Sequence, residues 1–136
     1  MTVKTSVVRG PKDVVTKTRA WTRAMTTGTQ VATLVKGSRL LGFIYGGTAT
    51  DAQTTGTLSI GKTTTSTEFV NGANVNTTIT GAGPTVAPMV AGTFGSVLTV
   101  DTPIFFKYTE TGTTATVGGG FVDIRYSTGN IINDDA

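Results

Sequence analysis

Short runs of alternating apolar and polar residues recur through most of this chain, and Gly, Asn, Asp or Pro ends nearly every run. A period of two places successive side chains on opposite faces of a strand, so that one face can pack inward. Short runs with turn residues between them are typical of antiparallel sandwiches and barrels. The pattern predicts strands at 30–35, 39–45, 57–60, 68–70, 75–80, 96–100, 104–109 and 121–126.

The composition opposes helix in the same regions. Threonine supplies 31 of the 136 residues and glycine another 18, and both types are poor helix formers, because threonine loses rotamer freedom and glycine loses backbone entropy. Histidine and cysteine are absent, so the usual general base and thiolate or imidazole metal ligands are missing. We predict an all-β chain, a small jelly-roll-like antiparallel β-sandwich or barrel, with no enzymatic activity and no cofactor.

Charge divides the chain into two parts. Residues 1–39 carry eight bases and one acid, whereas residues 40–136 carry three bases and seven acids. Such asymmetry indicates a basic segment that meets a negatively charged partner. With a hinge at 26–28, we predict a basic N-terminal arm at 1–27 and a β body at 28–136. Because the apolar alternation of the body begins near Val31, we expect the body to fold without residues 1–25.

Two conformations of the arm fit its sequence. A helix with Pro11 at its first position would place Val14, Thr18, Trp21 and Met25 on one face. A strand would instead group the basic residues around Trp21. We favour the extended form, because the arm is rich in β-branched residues. The candidate partner-binding residues are Lys4, Arg9, Lys12, Lys17, Arg19, Trp21 and Arg23.

Residues 56–63, GTLSIGKT, match the phosphate-binding pattern G-x-x-x-x-G-K-[ST]. A nucleotide site of this type needs a buried strand before the loop and a helix after it, so that the helix N-terminus faces phosphate. Here the polar TATDAQTT precedes the match and the helix-breaking TTTSTEFVNGAN overlaps its end. We therefore interpret the match as a strand and turn that do not bind nucleotide.

Three segments of the body together resemble the small head decoration, or cement, proteins of tailed bacteriophages: 58–75, 96–112 and 118–127. The resemblance implies a β-sandwich or barrel that forms homotrimers and binds the outside of the assembled capsid, where several major capsid subunits meet. It also implies that the arm at 1–27 reaches across neighbouring capsid subunits. The protein would be made in the host cytoplasm and reside on the virion surface, with no membrane or nucleic-acid partner.

Two other functions use similar sequences. A phage fibre, spike or receptor-binding domain would have the same type of β body but would expose aromatic residues at loop tips. A single-stranded nucleic-acid-binding protein could use Trp21 for base stacking and the flanking Arg19 and Arg23 for phosphate contacts.

Overall fold

The structure, a computed structural model, describes residues 14–51, 54–76 and 84–128. The part of the chain that it describes contains strands and no helix. The strands are β1 (Val14–Thr22), β2 (Thr29–Leu34), β3 (Arg39–Thr48), β4 (Thr55–Gly61), β5 (Val70–Asn74), β6 (Thr85–Val86), β7 (Thr102–Thr111) and β8 (Gly119–Ser127).

These strands form two four-stranded sheets, ordered β1-β8-β3-β6 and β2-β7-β4-β5. Every pairing is antiparallel. Each sheet has two edges, so the fold is an open sandwich and not a closed barrel. The predicted all-β class and small antiparallel β-sandwich are therefore confirmed.

Alternation along the central strands builds the core between the sheets. Strand β7 buries every second residue from Thr102 to Tyr108, and β8 buries Val122, Ile124 and Tyr126. The face predicted for β8 is thus the inward face. The largest fully buried side chains come from both sheets: Trp21, Tyr45, Tyr108, Phe43, Phe106, Leu34, Leu40, Leu58, Ile60, Ile104, Ile124 and Val70.

The structure corrects the predicted boundary between arm and body. Strand β1 pairs with β8 along its whole length, from Val14 opposite Ser127 to Thr22 opposite Gly119. Residues 14–22 therefore belong to the first sheet, because β8 offers them a continuous ladder of hydrogen bonds. The extended conformation predicted for this segment is confirmed there, whereas residues 1–13 lie outside the described residues.

Two predicted strands differ from the observed ones. The strand predicted at 68–70 starts only at Val70 and continues through the NGAN segment as β5, an edge strand whose pairing with β4 contains a register shift between Leu58 and Ile60. Glycine is tolerated at such an irregular edge. Residues 96–100, predicted as a strand, make only an isolated bridge between Arg39 and Val97. Of the predicted strand at 75–80, residues 77–80 lie outside the described residues.

Close contact between β3 and β8 explains the last glycine of the run at 118–120. A Cβ atom added to Gly120 would lie 2.0 Å from the carbonyl oxygen of Gly46 and 2.7 Å from the Cα of Gly47. Only residues without side chains permit this backbone approach. Gly120 also lies opposite Trp21 of β1, so the close approach occurs beside the largest side chain of the core.

Candidate interaction surface

Four of the predicted partner-binding residues share one face of β1 or of the turn after it: Lys17, Arg19, Trp21 and Arg23. The grouping expected for a strand is correct, but this face turns toward the second sheet and the loops beside it. Three separate sets of contacts hold the four side chains in place.

Lys17 and Arg19 span the open side of the sandwich between edge strands β1 and β2. Lys17 Nζ donates a hydrogen bond to the carbonyl oxygen of Thr33 at 3.2 Å, and Arg19 Nε donates to that of Val31 at 2.9 Å. Arg19 Nη1 also donates to the carbonyl oxygen of Thr18 at 3.0 Å. Unpaired backbone groups on edge strands invite strand addition from other chains. The two cations therefore close this side of the sandwich against such pairing.

Trp21 lies in the core and has no exposed surface. Its Nε1 donates a hydrogen bond to the carbonyl oxygen of Gly46 at 3.2 Å. Its ring stacks on Tyr108 of the other sheet, with centroids 6.2 Å apart and planes inclined by 25°. The indole thus joins the two sheets, and the folded protein does not present it to a partner.

Arg23 fastens the turn after β1 to the loop before β8. Its Nη1 and Nη2 donate to the carbonyl oxygens of Ala115 and Thr116, each at 2.9 Å. The carboxylate of Glu110 accepts hydrogen bonds from the Tyr108 hydroxyl at 2.7 Å and from the backbone N–H of Ala115. Arg23 and Glu110 both line an open cleft of about 480 Å³. The side chains that bond to the loop before β8 therefore also form part of the wall of this cleft.

The other three predicted binding residues, Lys4, Arg9 and Lys12, lie outside the described residues. The four described members of the predicted set therefore do not form one surface. Its described members stabilise the sandwich from within and along one edge, and only the segment 1–13 retains the role of a basic arm as a prediction.

Asp51 holds the same loop from the opposite direction. Its carboxylate accepts hydrogen bonds from the Thr116 hydroxyl at 2.7 Å and from the backbone N–H groups of Thr116 and Val117 at 2.6 and 3.1 Å. The hydroxyl and the two amides stabilise the charged form and lower the pKa of Asp51 from 3.8 to about 2.

We expect the Asp51 carboxylate to make the free energy of unfolding depend on pH in the acidic range. Because the pKa of Asp51 is lower in the folded state, its contribution is complete above pH 3.8 and is lost as the pH falls through about 2. Asp51→Asn should therefore unfold more readily than wild type at neutral pH, and the difference should shrink toward pH 2. Urea unfolding of both proteins at several pH values tests this, and a difference that does not change with pH would contradict it.

The segment that resembles a phosphate-binding loop lies on β4 and on the turn after it. Glu68 closes the turn: its carboxylate accepts hydrogen bonds from the backbone N–H of Lys62 at 2.8 Å and from the hydroxyls of Thr63 and Thr65. Burial acts to raise the pKa of Glu68, but these bonds outweigh it and lower the pKa. The predicted strand and turn are confirmed, and no helix follows within residues 63–76.

Lys62→Ala is expected to change the free energy of unfolding by no more than about 0.5 kcal/mol, as for most exposed positions. Alanine keeps the backbone N–H that bonds to Glu68. Urea unfolding and magnesium-dependent ATP binding test both parts of this interpretation. ATP binding by wild type that disappears in Lys62→Ala would contradict it.

An irregular ribbon of two segments, residues 35–40 and 94–101, extends the first sheet at one end of the sandwich. The isolated antiparallel bridge between Arg39 and Val97 joins the segments, and backbone hydrogen bonds of 2.6 to 2.9 Å flank it. The ribbon thus continues the sheet on the side of β3 away from β8, beyond the pairing of Ile44 and Tyr45 with β6.

Exposed apolar side chains lie on and beside this ribbon. Arg39 pairs with Ser127 of β8, and Ser127 pairs with Val14 of β1. Val97, Arg39, Ser127 and Val14 therefore form one row across the sheet, and this row ends at the start of β1. We call the exposed apolar residues of this region the apolar end: Val14, Val35, Phe94, Val97 and Val100, exposed by 52%, 57%, 68%, 47% and 63%. Val97 and Val14 stand at the two ends of this row, three inter-strand spacings or roughly 14 Å apart, with Arg39 and Ser127 between them.

The sequence contains a signal for the apolar end that strand alternation missed. Phe94, Val97 and Val100 are spaced by three, and Gly92 and Gly95 flank the first of them. In an extended strand, residues three apart point to opposite faces, so a sheet cannot bury all three on one face. The spacing indicates apolar residues in a loop, which have no core to enter.

No helix in the described residues is long and apolar enough to cross a membrane. Within 14–51, 54–76 and 84–128, no three acidic, histidine or cysteine residues are grouped so that they could hold a metal ion.

The fold has a counterpart among solved structures, although no protein-family model and no curated protein sequence matches the chain. A chain of the "Cyanophage Pam1 capsid asymmetric unit" superposes with a TM-score of 0.57 and 20% sequence identity. The match covers 91% of this chain and 94% of that chain, so the two are of similar length. The likeness in fold therefore extends over most of both chains and is not confined to a fragment.

Proposed function

We propose that this protein is a structural virion protein of a bacteriophage, a decoration protein that binds the outside of the assembled capsid and stabilises it. One observation carries the proposal: the fold is similar over nearly its full length to a chain from a phage capsid asymmetric unit. Because that chain is of similar length, the likeness is to a complete small chain of the assembly. The resemblance of segments 58–75, 96–112 and 118–127 to decoration proteins supports the same function.

Stabilisation of a shell requires only selective binding. A protein that binds the assembled capsid and not free subunits shifts the equilibrium toward the assembled state by its binding free energy. When several copies are joined, each further contact forms at a high effective concentration, so weak individual sites suffice. Such a function requires no cofactor and no catalytic group, and we propose that the protein is not an enzyme.

The proposed partners are the major capsid protein and two further copies of this chain, in a homotrimer on the outer surface of the virion. We propose no nucleic-acid and no membrane partner. Residues 1–13 contain Lys4, Arg9 and Lys12 and precede β1. These three bases are proposed to contact acidic groups of neighbouring capsid subunits. The role proposed for the basic arm is thus limited to residues 1–13, because residues 14–22 are part of the sandwich.

A second candidate function is that of a fibre or receptor-binding domain. Phe94 favours it, because this aromatic side chain is 68% exposed in a turn. Such a domain would bind a host surface ligand and leave assembled capsids unoccupied. Capsid binding therefore separates the two functions.

Sedimentation of capsids tests the proposal. Purified protein is mixed with empty capsids of the phage that encodes it, and separately with unassembled major capsid protein, at two salt concentrations. We expect the protein to sediment with capsids and not to bind free subunits. A variant with Lys4, Arg9 and Lys12 changed to Glu should bind less, whereas a control with Lys62, Lys107 and Arg125 changed to Glu should bind like wild type.

Failure to sediment with capsids at either salt concentration would contradict the proposal. Oligonucleotides serve as the competing ligand, because binding to phosphates weakens steeply as salt rises. Tight, salt-sensitive oligonucleotide binding without capsid binding would assign the protein to the nucleic-acid-binding class instead.

A further inference from the structure

Asn71 and Gly72 form a bulge in the edge strand β5. The register of β4 against β5 shifts between Leu58 and Ile60. Ser59 of β4 therefore lies opposite both Asn71 and Gly72. A bulge interrupts the regular ladder of hydrogen bonds between two strands. Gly72 has a φ of 82°, a backbone conformation that glycine adopts without strain.

The Ser59 side chain holds this bulge in place. The backbone N–H of Gly72 donates a hydrogen bond to Ser59 Oγ at 2.9 Å. Ser59 is buried, whereas Asn71 is exposed to solvent. The bulge therefore combines an exposed asparagine with a following glycine whose N–H is bound by one buried hydroxyl.

An asparagine that precedes glycine is chemically labile, and Asn71 is the only one of the five asparagines in the chain that glycine follows. When the glycine N–H loses its proton to hydroxide, its nitrogen can attack the side-chain carbonyl carbon of the asparagine, since glycine has no side chain to obstruct it. The new C–N bond closes a succinimide ring, and the side-chain nitrogen takes a proton from water and leaves as ammonia. Water then opens the ring at either carbonyl, which yields aspartate or isoaspartate.

We propose that Asn71 is a deamidation site of this protein and that the Ser59 hydroxyl controls its rate. In the folded chain the Gly72 N–H keeps its proton in the hydrogen bond to Ser59, so its nitrogen is not free to attack. Ring closure therefore requires local opening of β5. This strand has only five residues and pairs with β4 alone, and such peripheral elements open more readily than central strands.

The two products change β5 differently. Aspartate adds a negative charge at an exposed position, whereas isoaspartate also lengthens the backbone by one atom. Val70 and Ala73, on either side of the bulge, are both buried, so a longer backbone between them moves one of the two out of register with the core. We expect the isoaspartate form to unfold at a lower urea concentration than the aspartate form.

Peptide mass spectrometry of protein kept in mildly alkaline buffer measures deamidation at Asn71. Wild type is compared in its folded state and in concentrated urea. We expect the folded protein to deamidate at least about tenfold more slowly than the unfolded chain, because only the locally open fraction reacts. Asn74 and Asn76 lie in the same segment without a following glycine, so they serve as internal references and should stay intact over the same time.

Ser59→Ala tests the hydroxyl directly. The folded variant should deamidate at Asn71 about two- to tenfold faster than folded wild type, the factor expected when one hydrogen bond is lost. The matched control, Thr55→Ala, removes a hydroxyl of the same strand that bonds to Thr111 of β7 and not to β5, and should react like wild type. In concentrated urea all three proteins should react at the same rate, because the contact with Ser59 is absent there.

Folded wild type that deamidates as fast as the unfolded chain, or an unfolded chain in which Asn71 stays intact, would overturn the proposal. A folded Ser59→Ala variant that reacts at the wild-type rate would overturn it as well. If this variant does not fold, wild type in urea below its unfolding transition decides. A rate that rises with urea supports control by the opening of β5, and a constant rate contradicts it.

Discussion

Trp21→Ala is expected to lower the free energy of unfolding by about 3–5 kcal/mol, the usual cost of removing a large buried aromatic side chain. The indole has no exposed surface, stacks on Tyr108 and donates a hydrogen bond to Gly46. Its loss leaves a cavity between the sheets and removes the hydrogen bond to the carbonyl oxygen of Gly46. Because domains are typically stable by only about 5–15 kcal/mol, this variant should be close to unfolding at 25 °C.

Urea unfolding followed by circular dichroism measures the effect. Trp21→Phe is the matched control, because it loses the Nε1 hydrogen bond but keeps an aromatic ring against Tyr108. It should therefore lower the free energy of unfolding by less than Trp21→Ala does. Trp21 is the only tryptophan of the chain, so the change in tryptophan fluorescence on unfolding reports directly on this site in wild type. A loss of under about 1 kcal/mol in Trp21→Ala would contradict a core role for the indole.

Deletion of residues 1–25 is expected to unfold the protein, whereas deletion of residues 1–13 should leave a folded sandwich. The longer deletion removes β1, so β8 loses its partner along nine residue pairs. It also removes Trp21 from the core and the cations that cap β2. The longer deletion should therefore lower the free energy of unfolding by more than Trp21→Ala does. We expect this decrease to exceed the total stability of the domain, which is typically about 5–15 kcal/mol.

Circular dichroism and urea unfolding of both truncated proteins measure this contrast. The shorter deletion serves as the control, because it removes Lys4, Arg9 and Lys12 and leaves every described strand intact. A chain starting at residue 26 that unfolds cooperatively with near wild-type stability would restore the predicted boundary between arm and body at residue 27.

Alternation predicted much of the sandwich because it depends on local sequence. Strands β3, β4, β7 and β8 lie close to their predicted positions, and Leu58, Ile60 and Val122 are buried as their alternation requires. The strand alternative for β1 also grouped the correct side chains. Which face of β1 turns inward could not be read locally, because cations normally face solvent and here bond to the carbonyl oxygens of Val31 and Thr33.

The apolar end was not predictable for a related reason. Its residues come from the start of β1, from the turn before β3 and from the long loop before β7. Only the strand order places these segments together, through the row from Val97 to Val14. The spacing of Phe94, Val97 and Val100 indicated apolar residues in a loop, but the row that joins Val97 to Val14 depends on pairings between residues 58, 88 and 113 positions apart.

Cryo-electron microscopy of the phage particle tests the central claim most directly. We expect density on the outer surface of the capsid, in groups of three, into which the two four-stranded sheets fit. The same density should disappear from particles made without this protein and return when purified protein is added. Density for the sandwich at the tail or inside the shell, or no difference between the two kinds of particle, would contradict the account.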